Sequence, residues 1–143
     1  MANSMTGSSG NDALQGTAGS DFVTLGEGAD TYSDEYDASD TILGGAGNDT
    51  IKGGNGNNSI DGDTGNDFLE GGEGDDAISG GDGADYINGN AGNDYIVGDA
   101  GNDSLNGGIG HDTMSGGTGN DWINGGTGIN ILNGNEGSDI INS

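Results

Sequence analysis

Cysteine and proline are absent from the 143 residues, and the only lysine or arginine is Lys52. Without cysteine there is neither a disulfide framework nor a thiolate metal site. With 25 acidic residues and a formal charge of −24, nucleic acid is a poor partner unless a cation intervenes. The same holds for an anionic membrane surface. Apolar residues make up 28% of the chain, and no apolar run approaches the length of a membrane-spanning helix, so direct membrane insertion is not expected. The opening MANSMTGSSG lacks the charged and apolar stretches of a cleavable signal peptide. High charge with low hydrophobicity would ordinarily mean disorder.

What the chain has is glycine, at 35 positions, set in a repeat of nine residues. From Gly44 the units run without interruption: GGAGNDTIK, GGNGNNSID, GDTGNDFLE, GGEGDDAIS and onward to GNEGSDIIN at 134–142. Residues 7–43 hold weaker units, and one extra residue, Asp34, breaks the frame. Fifteen units result. The fourth position is glycine in 14 of them, and the sixth is aspartate in 13, with Asn58 and Asn130 as the exceptions. The eighth position is always apolar or aromatic. Glycine of this density argues against a helix, and it supplies positive φ in tight turns without steric cost. The last three residues of each unit alternate like a short strand with one side chain facing inward.

The pattern G-G-x-G-x-D-x-U-x, with U a large apolar residue, resembles the RTX (repeats-in-toxin) calcium-binding family. The resemblance covers residues 7–142. It implies one all-β domain over residues 1–143: a parallel β-roll, or β-solenoid, of about 15 nonapeptide units. Two units would form each 18-residue coil, with calcium between stacked turns.

In such a roll the sixth-position residues stack in two columns. One is unbroken: Asp12, Asp30, Asp49, Asp67, Asp85, Asp103, Asp121, Asp139. The other runs Asp21, Asp40, Asn58, Asp76, Asp94, Asp112, Asn130, weaker at its two asparagines. Strand spacing puts successive members about 5 Å apart, where like charges repel. A hard divalent cation reverses the sign of that interaction. Ca²⁺ takes 6–8 oxygen ligands and accepts glycine-turn carbonyls, whereas Mg²⁺ demands a small octahedral shell and keeps its waters. Seven steps of the first column and three of the six in the second keep both carboxylates. Ten ions would carry +20 and thirteen +26, which brackets the formal −24. About 10–13 Ca²⁺ are therefore expected, and the chain is expected to fold only when they bind.

No nucleophile–base arrangement is legible, the carboxylates are committed to metal, and the single histidine, His111, sits in a turn; an enzyme is not expected. The seventh positions Phe68, Tyr86, Ser104, Trp122 and Ile140 recur at steps of 18. They read either as cross-strand packing or as a contact stripe for a partner, a second copy or sugar rings; no residue pattern here supports a polysaccharide. Threonine does not recur at every rung, which argues against an ice-binding face. The irregular segment 25–40 reads as a hinge or bulge, as an extra cation site at Asp34, Glu35 and Asp37, or as drift.

The initiating Met1 and the compact ends suggest a complete small protein, with MANSMT as a short extension outside the repeats. The last units grow more apolar, with Ile129, Ile131, Leu132, Ile140 and Ile141, and an open end rung pairs readily with another chain. Fifteen units make seven and a half coils. A stacked copy would then be rotated by about half a turn, with a rise of roughly 36 Å. The expected function is a calcium-dependent, extracellular structural protein that joins itself head to tail into filaments. The alternative is an accessory module of a larger secreted protease, lipase or alginate epimerase. The family resemblance implies export by a type I-like route, although no signal for it is visible.

Overall fold

The computed structural model describes residues 3–143, so Met1, on which the expectation of a complete protein leans, lies outside them. The described residues contain strands and turns and no helix. In chain order the strands are β1 (Asn3–Thr6), β2 (Ala13–Gln15), β3 (Asp21–Glu27), β4 (Thr31–Ser33), β5 (Thr41–Ala46), β6 (Thr50–Asn55), β7 (Ser59–Thr64) and β8 (Phe68–Glu73). They continue as β9 (Ala77–Asp82), β10 (Tyr86–Ala91), β11 (Tyr95–Ala100), β12 (Ser104–Ile109), β13 (Thr113–Thr118), β14 (Trp122–Asn124), β15 (Ile131–Glu136) and β16 (Ile140–Asn142). Odd-numbered strands form one eight-stranded sheet and even-numbered strands a second. Every pairing is parallel and joins a strand to the next but one, as in Tyr86 opposite Ser104 and Ile96 opposite Met114. The chain is a parallel β-roll, a solenoid of eight coils, with one strand of each coil in each sheet.

The count of coils differs from the sequence expectation. Asn3–Thr6, read as an extension, form a sixteenth strand in register with β3: Asn3 lies opposite Asp21 and Met5 opposite Val23. Met5 packs on the core as an eighth-position residue does. The segment carries no glycine, so a glycine-based frame does not find it. The roll therefore closes eight whole coils, and a copy continuing it needs no half-turn rotation.

The strands are also longer than the expected three residues. Most run from the seventh position of one unit through the third of the next, as in Thr50–Asn55. Two residues per strand point inward, the apolar eighth and the glycine at the first position; Ile51 and Gly53 are both buried. That glycine faces the interior because another group fills the space. A Cβ on Gly44 would lie 2.7 Å from Asp49 Oδ2 and 2.7 Å from the Gly62 carbonyl oxygen. The core is two facing files of eighth-position side chains along the axis, from Val23 to Ile123, with Leu25 added. Leu25 and Asp34 are the two places where a side chain replaces the inward first-position glycine. The end residues Met5, Leu14 and Leu132 are partly buried, and Ile141, in the last rung, is 46% exposed.

The inserted Asp34 extends the ladder past β4: its N–H donates to the Lys52 carbonyl. Glu35, Tyr36 and Asp37 then bulge outward and are exposed. Pairings that span the insertion shift from 18 to 19 residues, as in Thr31 opposite Thr50, and regular register resumes with Thr50 opposite Phe68.

Candidate metal centre: two aspartate columns

Both columns form as the repeat frame requires. Within each, the backbone N–H of one sixth-position residue donates to Oδ1 of the next in the column. Asp49 N–H donates to Asp67 Oδ1 at 2.8 Å, Asp67 to Asp85 at 2.8 Å, Asp85 to Asp103 at 2.9 Å and Asp103 to Asp121 at 2.9 Å. The same column opens with Asp12 to Asp30 and Asp30 to Asp49 and ends with Asp121 to Asp139. The second runs from Asp21 through Asp40, Asn58, Asp76, Asp94 and Asp112 to Asn130 by the same bond. One carboxylate oxygen of each aspartate after the first in its column is thus spent on joining coils.

The second oxygen is left over. Oδ2 of Asp30, Asp49, Asp67, Asp76, Asp85, Asp94, Asp103, Asp112 and Asp121 is buried and has no hydrogen-bond partner. Nine orphaned carboxylate oxygens are too many for a folded chain of this size, because each carries a full desolvation penalty. They sit beside turns whose chain direction is set by positive φ, for example Gly45 at 100° and Gly47 at 138°. In the unbroken run from Gly44, where the second position is not glycine it is Asp63, Asn90, Asp99 or Asn135, all with φ near 70°. Asn and Asp are the residues that best tolerate this region. Except at Asn58 and Asn130, where an amide nitrogen stands in the place of Oδ2, the donor set is carboxylate and carbonyl oxygen, with no sulfur. That chemistry suits Ca²⁺.

Burial pushes the metal-free columns toward protonation. Asp67, Asp76 and Asp103 rise to about 7 and Asp94 to about 6, in each case chiefly because burial penalises the charged form. Asp49, Asp85, Asp112 and Asp121 shift in the same direction for the same reason. Neighbouring column carboxylates add repulsion, as Asp85 and Asp49 do at Asp67.

The ends and the asparagines behave differently. Asp12 Oδ2 accepts the Ser8 N–H and hydroxyl, and Asp21 Oδ2 accepts the Thr17 N–H at 2.8 Å. Ser8 and Thr17 stand at the second position, where later units carry a residue of positive φ, so hydroxyl and amide donors satisfy these two carboxylates. At Asn58, Nδ2 donates to the Gly56 carbonyl at 3.1 Å, and an amide occupies a turn carbonyl with no ion.

A second ladder escaped the sequence reading. Fifth-position side chains accept the N–H of the fifth residue one coil later: Asn48 from Asn66, Asn66 from Ala84, Asn93 from His111, Asn102 from Asn120. His111 takes the same part, with Nδ1 accepting the Ile129 N–H at 2.9 Å. This bond runs opposite in direction to the sixth-position one, so an Asn-Asp pair ties each turn to both neighbours. The recurrence of Asn at the fifth position was the available signal.

The seventh-position stripe lies in register on the even-numbered sheet. Phe68 and Tyr86 stack at 5.1 Å with planes 4° apart. Ser104 interrupts them from Trp122, which pairs with Ile140. Lys52 reaches Glu70 at 3.0 Å and lies 6.0 Å from the centre of the Phe68 ring.

A family model, the RTX calcium-binding nonapeptide repeat (4 copies), matches residues 2–33, 36–69, 61–96, 79–114, 88–122 and 115–143. The chain belongs to that family. The RTX matches cover all but the N-terminal residue and the two residues at the frame break, Asp34 and Glu35. No curated protein matches the chain. Membership in a calcium-binding repeat family agrees with the orphaned Oδ2 atoms: the residues present suit the ion the family takes.

Proposed function

We propose that this RTX chain is a calcium-dependent structural element that works outside the cell. Its column aspartates and turn carbonyls would ligate about 10–13 Ca²⁺, fewer at Asn58 and Asn130, where no second carboxylate is present. The observation that carries this reading is the file of nine buried, unpartnered Oδ2 atoms. Bound calcium pairs with each, and its binding energy becomes folding energy. Extracellular calcium modules operate at about 10⁻⁴–10⁻³ M. A chain of that affinity stays unfolded in the cytosol and folds after export. Circular dichroism in EDTA, followed by millimolar CaCl₂, tests this: strand signal is expected only after calcium is added, and a signal already complete in EDTA overturns it.

We further propose that copies join head to tail. β15 and β16 leave open parallel edges, and their rung exposes Ile131 (67%), Ile140 (61%) and Ile141 (46%). The opposite end presents β1 and β2, one in each sheet. A second copy would place its β1 beside β15 and its β2 beside β16 with strand direction preserved, and eight coils correspond to a rise of roughly 38 Å. Such heterologous contacts do not close, and they produce filaments. Electron microscopy of the purified chain with calcium should show filaments with that repeat. Stable monomers would instead favour an accessory module of a larger secreted enzyme, whose remaining chain covers the same rung.

A further inference from the structure

The regular turn fails where the frame breaks. Residues 35–40 lack the glycines of a repeat, and Thr17 replaces a second-position glycine in the turn stacked on it. At this place the inserted Asp34 stands in a file otherwise held by inward glycines: Gly16 before it and Gly53 and Gly71 after it. Its side chain turns into the roll and is 4% exposed; Asp21 and Asp40 are each 3% exposed. Oxygens of Asp21, Asp34 and Asp40 lie within 4.8 Å of one another. The sequence reading grouped Asp34 with Glu35 and Asp37; the structure leaves those two outside, because the bulge carries them into solvent.

Thr17 supplies an N–H and a hydroxyl to Asp21, but the donors around Asp34 and Asp40 do not suffice. Asp34 Oδ1 accepts the Tyr36 N–H at 2.8 Å, and Asp40 Oδ1 accepts the Asp21 N–H at 2.8 Å. Asp34 Oδ2 and Asp40 Oδ2 both face the buried Tyr32 hydroxyl, at 3.3 and 3.4 Å. That hydroxyl has one proton. At any instant one of the two buried oxygens has no partner, and it points into a space already bounded by two other carboxylates. A buried carboxylate in that condition requires a cation or a proton.

We propose that Asp34, Asp40 and Asp21, with the Tyr32 oxygen beside them, hold a divalent cation of calcium's size at a site separate in kind from the turn sites. Carboxylate oxygens replace the turn carbonyls that the degenerate repeat cannot supply. The proposal rests on the calcium reading of the columns but uses a residue outside the nonapeptide motif. More carboxylates in one shell mean tighter binding, so this ion should be the last to leave as calcium is withdrawn.

Native mass spectrometry of the full chain across a Ca²⁺ titration, with circular dichroism on the same samples, tests it. Asp34→Gly restores the residue of the rest of the file and should fold, binding one ion fewer than the wild type and lacking the tightest one. Asp34→Asn keeps the shape and should weaken that ion at least tenfold; if the glycine variant does not fold, the asparagine variant decides. Equal counts and equal affinities in the wild type and the folded variants overturn the proposal and leave a shared proton to hold the cluster. Absence of any bound calcium in the wild type instead overturns the column reading, so the two failures are distinct.

Discussion

At the residue scale, each position of the repeat answers a separate physical demand. The first glycine makes room for an aspartate carboxylate, as the 2.7 Å approach at Gly44 shows. The second and fourth positions turn the chain through positive φ. The fifth and sixth tie a turn to the coils on either side through side-chain acceptors. The eighth fills the core. An asparagine at the sixth position keeps the coil-to-coil bond, as Asn58 does toward the Asp40 N–H at 3.0 Å, but removes the charge a cation needs. Asn58→Asp restores both carboxylates at two steps of the column, toward Asp40 and toward Asp76, and is therefore expected to bind up to two more ions. It should raise the melting temperature in saturating calcium by several degrees, read by calorimetry, and an unchanged melting temperature with an unchanged ion count would contradict it. The role of the sixth position was legible in the sequence because aspartate there is nearly invariant along the chain. The role of the first was not, because a glycine does not announce which way its missing side chain would have pointed.

At the scale of the element, no strand is stable by itself. Apart from β3, which buries both Val23 and Leu25, each carries a single apolar inward side chain, and a short parallel strand gains its hydrogen bonds only from the coils on both sides. The core is a file, so each rung depends on the one before and after. Removing one rung's contribution should then behave like a large-to-small core substitution. Ile87, fully buried in the middle of the roll, is expected to cost about 2–5 kcal/mol on replacement by alanine, read from calcium-loaded thermal or denaturant unfolding. The same change at Ile141 should cost far less, since its side chain is already 46% exposed. Surface regularities at this scale are supplementary: the Asn88, Asn106 and Asn124 amides link three rungs at 2.9 Å per bond, and the Phe68–Tyr86 stack links two.

At the scale of the whole molecule, the balance is set by charge. A chain of formal charge −24 aligns most of its aspartates in two buried files, and only metal or protons make that arrangement tolerable. The direction of the proton effect follows from the raised values in the metal-free roll. Asp67, Asp76 and Asp103 titrate near 7 when folded and near an ordinary carboxylate value of about 4 when unfolded. The folded state thus binds more protons between these limits. Its stability without metal is fullest below about pH 4 and is lost as pH rises through about 7. In EDTA, acidification from pH 8 to 4 is expected to bring up strand signal in circular dichroism. With calcium the dependence reverses, since protons compete with the ion for Oδ2, and the calcium concentration needed for folding should rise as pH falls. An EDTA sample equally unstructured at both pH values would contradict the first expectation.

The sequence by itself determined the period, the parallel roll, the inward apolar file and the membership of both aspartate columns. A nine-residue repeat allows few ways to stack identical rungs, and every regular unit restates the same constraints. Only the tertiary structure decided what happens where the repetition fails. Asn3–Thr6 became a strand because β3 offered a parallel edge to a segment with one apolar residue in the right place. Asp34 turned inward while Glu35 and Asp37 turned out, because the ladder bond to Lys52 fixed the backbone before the bulge began. The unpartnered oxygens of the columns are buried only once coils 18 or 19 residues apart are stacked, and the single proton that Tyr32 offers to Asp34 and Asp40 is shared only once one coil closes and brings residues 2 and 8 positions away onto the same hydroxyl.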